Sequence, residues 1–112
     1  MYVGMADRLK PLYSAQAENP ALSESIDRFV LGLAERVDHL QDAQFGGDRT
    51  RVAELSRSLA SDADAVGYAP LAQLAEEAAG AAEADDLDEA RAVLRDLTEV
   101  AQRVRCGYPG AI

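Results

Sequence analysis

Between positions 22 and 40 the apolar residues Leu22, Ile26, Phe29, Val30, Leu33, Val37 and Leu40 follow one another at intervals of 4, 3, 1, 3, 4 and 3. An α-helix returns to one face every 3.6 residues, a strand every second residue. Only a helix gathers this series into a single stripe. Asn19-Pro20 marks its start, because Asn caps a helix well and Pro at the first helical position loses no needed hydrogen bond. Gly46-Gly47 marks its end.

The same reading continues along the chain. Asp48 can cap a second helix whose stripe is Val52, Leu55, Leu59, Ala63 and Val66, with Gly67 closing it. Pro70 suits the first turn of a third helix, whose face of Leu71, Leu74, Ala75, Ala78, Ala81 and Ala82 is made of unusually small side chains. Asp85-Asp86-Leu87-Asp88-Glu89 reads as a turn followed by a helix start, and Asp86 with Glu89 has the spacing of a capping box. The last stripe is Leu87, Ala90, Leu94, Leu97, Ala101 and Val104. Gly107, Pro109 and Gly110 break it, predicting a loose tail from about 107. Residues 1–18, interrupted by Pro11, are expected to form a short helix or turn across one end. Short connections between amphipathic helices predict an all-α fold, an antiparallel four-helix bundle in a single domain spanning 1–112.

Composition agrees. Aromatics are 5% of residues and tryptophan is absent, so the core must be aliphatic, which disfavours a β-sandwich. The net charge is −9 and the sequence shows no basic patch with which to displace counterions, so neither nucleic acid nor an anionic membrane is an expected partner. The first ten residues show no signal peptide, and no stretch approaches the roughly 20 apolar residues of a membrane span, so the expected location is the cytoplasm. Cys106 is the only cysteine, so no internal disulfide can form.

The inventory for catalysis is thin. His39 is the single histidine, and although Glu35 precedes it by four residues, a metal centre needs several such ligands. Calcium-loop and phosphate-loop patterns are absent, so no metal or cofactor is expected. The acids Glu76, Glu77, Glu83, Asp85, Asp86, Asp88 and Glu89 read as a solvated face with acids placed at a helix start. The outward face of the second helix says more. At 100° per residue, Arg57 points about 160° from the centre of its apolar stripe, on the side that also carries Thr50, Glu54, Ser61 and Asp64. Leu31 lies about 160° from the stripe of the first helix, among Glu24, Asp27, Glu35 and Asp38, where a partner or a second copy could cover it.

From about Pro11 to Arg105 the chain resembles the histidine-containing phosphotransfer, or HPt, domain family. The segments Pro11-Leu12-Tyr13-Ser14, Asn19-Pro20, Phe29-Val30, Val66-Gly67-Tyr68-Ala69-Pro70 and Asp85-Asp86-Leu87-Asp88-Glu89-Ala90-Arg91 look like those of one bacterial HPt subgroup. The family passes phosphoryl groups between receiver domains and histidine kinases in two-component signal transduction. Its middle-helix motif reads His-x-Leu-Lys-Gly, with a Gly-aromatic pair further on. With that pair at Gly67-Tyr68, the motif leucine is Leu59, the phosphorylated histidine falls on Arg57, the lysine on Ala60 and the glycine on Ser61. A guanidinium stays protonated and is a poor nucleophile. Asp62 and Asp64 add negative charge where a phosphoryl group would sit. The resemblance therefore implies a degenerate member without a catalytic residue, which docks a response-regulator receiver domain or a histidine kinase through Arg57, Glu54, Ala60, Ser61, Asp64 and Leu31. Phosphotransfer through His39, and a structural bundle that forms a homodimer, are the alternatives.

Overall fold

The computed structural model describes residues 10–108. A 3₁₀ turn at Pro20–Leu22 leads into four α-helices: α1 (Ser23–Phe45), α2 (Arg49–Ala65), α3 (Ala69–Glu83) and α4 (Leu87–Cys106). The described residues contain no strand. Local chemistry sets each start. Asn19 Oδ1 accepts from the Ala21 amide at 3.0 Å. Asp48 Oδ1 accepts from the Arg51 amide, and Asp86 Oδ1 from the Glu89 amide, each at 3.1 Å. Every such bond satisfies one of the orphan donors of a first turn. The turn into α4 also holds Asp85 at φ 58°, a left-handed geometry that aspartate tolerates better than most side chains.

Each helix packs on the next in the chain, and α4 returns to pack on α1. The stripes turn inward: Val30, Leu33, Leu40, Val52, Leu59, Leu71, Leu97 and Val104 are all at most 1% exposed. Burying a leucine or valine to that degree stabilises by roughly 1.5–3 kcal/mol. Polar bonds fix the seams. Arg36 Nη1 on α1 lies 2.9 Å from Asp62 Oδ2 on α2, and Nη2 donates to Ser58 Oγ at 3.1 Å. On the other flank Gln41 Nε2 donates to Thr98 Oγ1 at 3.1 Å. Tyr68, opening α3, stacks on Phe29 of α1 with centroids 5.8 Å apart.

Helix α2 departs from the simple stripe. Leu55 is only half-buried, while Ala53, Ser56 and Ala60 are buried beside Val52, Leu59 and Ala63. The reason is that α2 packs against both α1 and α3, so its buried arc is wider than one stripe. Ser56 is wholly enclosed, and its hydroxyl has no hydrogen-bond partner among the described residues.

The segment before the 3₁₀ turn takes the turn form, with turns at 15–18 and no helix across residues 10–18. Residues 1–9 lie outside the described part. The turn is tied to the α2–α3 connection. Ser14 is buried, and its Oγ donates to the Val66 carbonyl at 2.5 Å while accepting from the Gln16 amide at 2.9 Å. The Ala15 amide donates to the Gly67 carbonyl at 2.8 Å. Gly67 sits at φ +87°, and a Cβ there would stand 2.6 Å from Ser14 Oγ. The expected loose tail needs correction at its beginning. Gly107 packs against Leu12 and Tyr13, and the Tyr108 hydroxyl donates to Asp27 Oδ1, so the chain is anchored through 108. The remainder, 109–112, lies outside the described residues.

Two substitutions test this packing. Gly67→Ala should destabilise by about 1–3 kcal/mol from backbone strain alone, with further loss from the contact with Ser14. Ser56→Ala should raise stability by about 0.5–2 kcal/mol, because it removes an enclosed hydroxyl that bonds to nothing. Urea unfolding followed by circular dichroism reads both.

Candidate functional site

Arg57 lies in the middle of α2 with about half of its side chain exposed. Its guanidinium does not stand free. It reaches across the α2–α3 seam and grips the Glu83 carboxylate with two nitrogens: Nε donates to Oε2 at 3.0 Å, and Nη2 donates to Oε1. This two-point geometry matches a planar fork to a planar carboxylate and is the strongest form of a charge-assisted bond. Its electrostatic consequences are mutual. The hydrogen bond and charge of Glu83, with a smaller contribution from Glu76, raise the Arg57 pKa further above its ordinary value. The hydrogen bond from Arg57 lowers the Glu83 pKa. Both groups are solvated, so the pair orients side chains more than it stabilises the fold.

Two shallow depressions meet at Arg57. One runs along Arg49, Thr50, Ala53 and Glu54 to Ala82 and Glu83. The other is bounded by Ala60, Ser61, Asp64 and Glu76. The structure therefore brings together Arg57, Glu54, Ser61 and Asp64, all exposed, as the outward face of α2. Ala60 is a correction. It is 4% exposed and forms the floor of the second depression, because the α2 arc turned toward its neighbours is wider than the apolar stripe. Its methyl cannot serve as a contact that projects toward a partner. Leu31, 58% exposed on α1, lines neither depression. Asp62 does not add net charge beside Arg57 in the way its position suggests, because Arg36 compensates it from α1.

Sequence reasoning missed the role of Glu83, placing it in a solvated acidic run. Twenty-six positions separate it from Arg57, and no local spacing links them. His39 is exposed on α1, 3.9 Å from Glu35 of its own helix, and lines neither depression at Arg57. Cys106 is exposed at the end of α4. Among the described residues no three His, Cys, Asp or Glu side chains gather closely enough to hold a metal ion, and no helix is long and apolar enough to cross a membrane.

Chemically, the face can present a protonated guanidinium and exchange its carboxylate partner. No family model, curated protein or solved structure matches the chain.

The pair carries a pH signature. A depressed carboxylate pKa means its stabilising contribution is present above the ordinary Glu value and is lost as pH falls through the lowered one. Carbon-detected NMR titration should find Glu83 below the ordinary carboxylate range, and Arg57→Ala should return it there. A Glu83 value unaffected by that substitution would refute the pairing.

Proposed function

We propose that this chain is a protein-binding module of the HPt type. In this reading the helices form an antiparallel four-helix bundle that docks a receiver or kinase domain of a two-component phosphorelay, without carrying phosphate at Arg57. The observation that carries the reading is Arg57 itself. At the position where the resemblance places the phosphoacceptor histidine stands a half-exposed guanidinium, oriented by Glu83 and surrounded by a polar face.

The scaffold residues on which the resemblance rests have structural work here. Gly67 makes the left-handed turn under Ser14, Tyr68 stacks on Phe29, Asn19 caps the entry to α1 and Asp86 caps α4. The reactive positions do not: Arg57 is held protonated, and Ala60 is buried instead of presenting an ammonium. A module with these features retains the means to be recognised and lacks the means to react. Docking works by exchange. The acidic cluster of a receiver domain competes with Glu83 for the guanidinium, so one carboxylate pairing replaces another and the Arg57 charge is never stranded. The acids Glu54, Asp64 and Glu76 around it slow the approach of an acidic partner, which makes this an association sensitive to ionic strength.

The test is to mix the protein with phosphorylated and unphosphorylated receiver domains encoded near it. Binding without transfer of phosphate is expected, weakened at least about fivefold by Arg57→Ala, the equivalent of roughly 1 kcal/mol. Transfer that disappears only in His39→Ala would replace this reading with a relocated phosphoacceptor. Absence of binding to every receiver, together with a mass that rises with concentration and falls in Leu31→Ser, would replace it with a self-associating bundle.

A further inference from the structure

A second face of the molecule has a composition the docking proposal does not use. Where the end of α1 meets the first half of α4, an open groove is lined by Gln44, Phe45, Arg91, Leu94 and Arg95. Phe45, the last residue of α1, is 96% exposed, far more than Leu31 at 58% or Tyr13 at 65%. A phenyl ring left in water forgoes the burial that aromatic side chains otherwise contribute to folding. Arg91 and Arg95 are one helical turn apart, so they share a face of α4. Arg91 has Asp88 of its own helix at 3.9 Å, with side-chain exposures of 67% and 96%, a pairing too long and too solvated to consume its charge. Gln44 is held by a single 3.4 Å bond from its Nε2 to the Leu87 carbonyl, and its Oε1 has no partner.

These features define what would fit. In a chain with 20 acidic and 11 basic residues, two arginines beside a bare phenyl ring form a local reversal of charge. Carboxylates complement the two guanidinium forks, and an aliphatic or aromatic side chain complements Phe45 and the edge of Leu94. The groove is open along its length, which suits an extended or helical segment more than an enclosed small molecule.

We infer that the groove between the end of α1 and the start of α4 is a binding site for an acidic peptide segment of a partner protein, one that carries at least one large apolar side chain to cover Phe45. The site does not rest on the docking role of Arg57. That residue lies on the α2–α3 seam, which shares no helix with this groove.

The test is selection of a displayed library of random peptides of about 12 residues against the immobilised full chain. Enriched peptides should combine Asp or Glu with Leu or Phe. Synthetic copies should bind more weakly as salt rises, and should lose at least tenfold in affinity to the Arg91→Glu/Arg95→Glu protein and to Phe45→Ser. Arg57→Ala should leave that affinity unchanged. All the substituted side chains are exposed, and circular dichroism should show unaltered helicity. The inference is overturned if no peptide is enriched, if the enriched peptides are not acidic, or if their binding survives the charge reversal. It is also overturned if the wild-type chain is a dimer that Phe45→Ser converts to a monomer, which would assign the groove to a second copy.

Discussion

Helix α3 is seated between α2 and α4 by side chains one carbon long. Ala75, Ala78, Ala79 and Ala82 are fully buried, with Ala72 and Ala81 nearly so, and Leu71 is the one large side chain wholly enclosed on this helix. A methyl group removes little apolar area from water, about 0.8 kcal/mol worth each. The gain comes from elsewhere. Alanine costs no side-chain entropy in a helix and lets neighbouring backbones approach closely enough to recover dispersion contacts. This close seating brings the end of α3 within reach of the middle of α2. The Arg57–Glu83 pair thus depends on the alanine face that sets how closely α3 lies against α2. A larger side chain on that face would push the helices apart and separate the two charges before it disturbed either one directly.

The opposite kind of constraint holds the beginning of the chain. Ser14 reaches a carbonyl 52 positions away, and Gly67 supplies the conformation that makes room for it. Without a Cβ, residue 67 can turn left-handed and let the incoming backbone lie directly over it. The turn at 15–18 therefore closes the end of the molecule where α2 hands over to α3. Arg103 on α4 ties the same segment from the other side, through its Nε to the Lys10 carbonyl at 2.9 Å and its own carbonyl to the Leu12 amide at 2.9 Å. One polar strap thus links elements from both halves of the sequence.

What the sequence made legible was what nearest neighbours along the helix decide. The caps at Asn19, Asp48 and Asp86, the breaks at Gly46-Gly47 and Gly67, and the aliphatic stripes of α1 and α4 all follow from interactions within a few residues. The stripe of α2 was legible only in part. Periodicity counts apolar residues, and this helix buries a serine and two further alanines because it has a neighbour on each side. For the same reason Ala60 is buried although it belongs to no apolar stripe. At the candidate site the outward direction of Arg57 was visible from helical geometry, but its partner was not, since Glu83 belongs to another helix and looked like one acid among many. Tyr108 was hidden in the same way: a Gly/Pro-rich ending reads as loose, and only tertiary contact with Asp27 fixes it.

The two exposed arginine sites differ in how their charge is used, and that difference separates the roles proposed for them. Arg57 is satisfied in the free protein by a bidentate carboxylate, so any ligand must displace Glu83, and the binding energy is a difference between two similar pairings. Such a site gains selectivity from geometry more than affinity from charge. Among the described residues Arg91 and Arg95 have no comparable internal competitor along the groove, and the adjacent Phe45 offers area that is almost fully hydrated until it is covered. A ligand there loses little and buries apolar surface, the combination from which most affinity arises. A partner that engaged the α2 face would therefore be discriminated by shape at Arg57, while a peptide held in the α1–α4 groove would be retained by Phe45 and steered by the arginines. Because the two seams share no helix, a single partner long enough to reach both could use both, with the groove supplying the affinity that the exchange at Arg57 cannot.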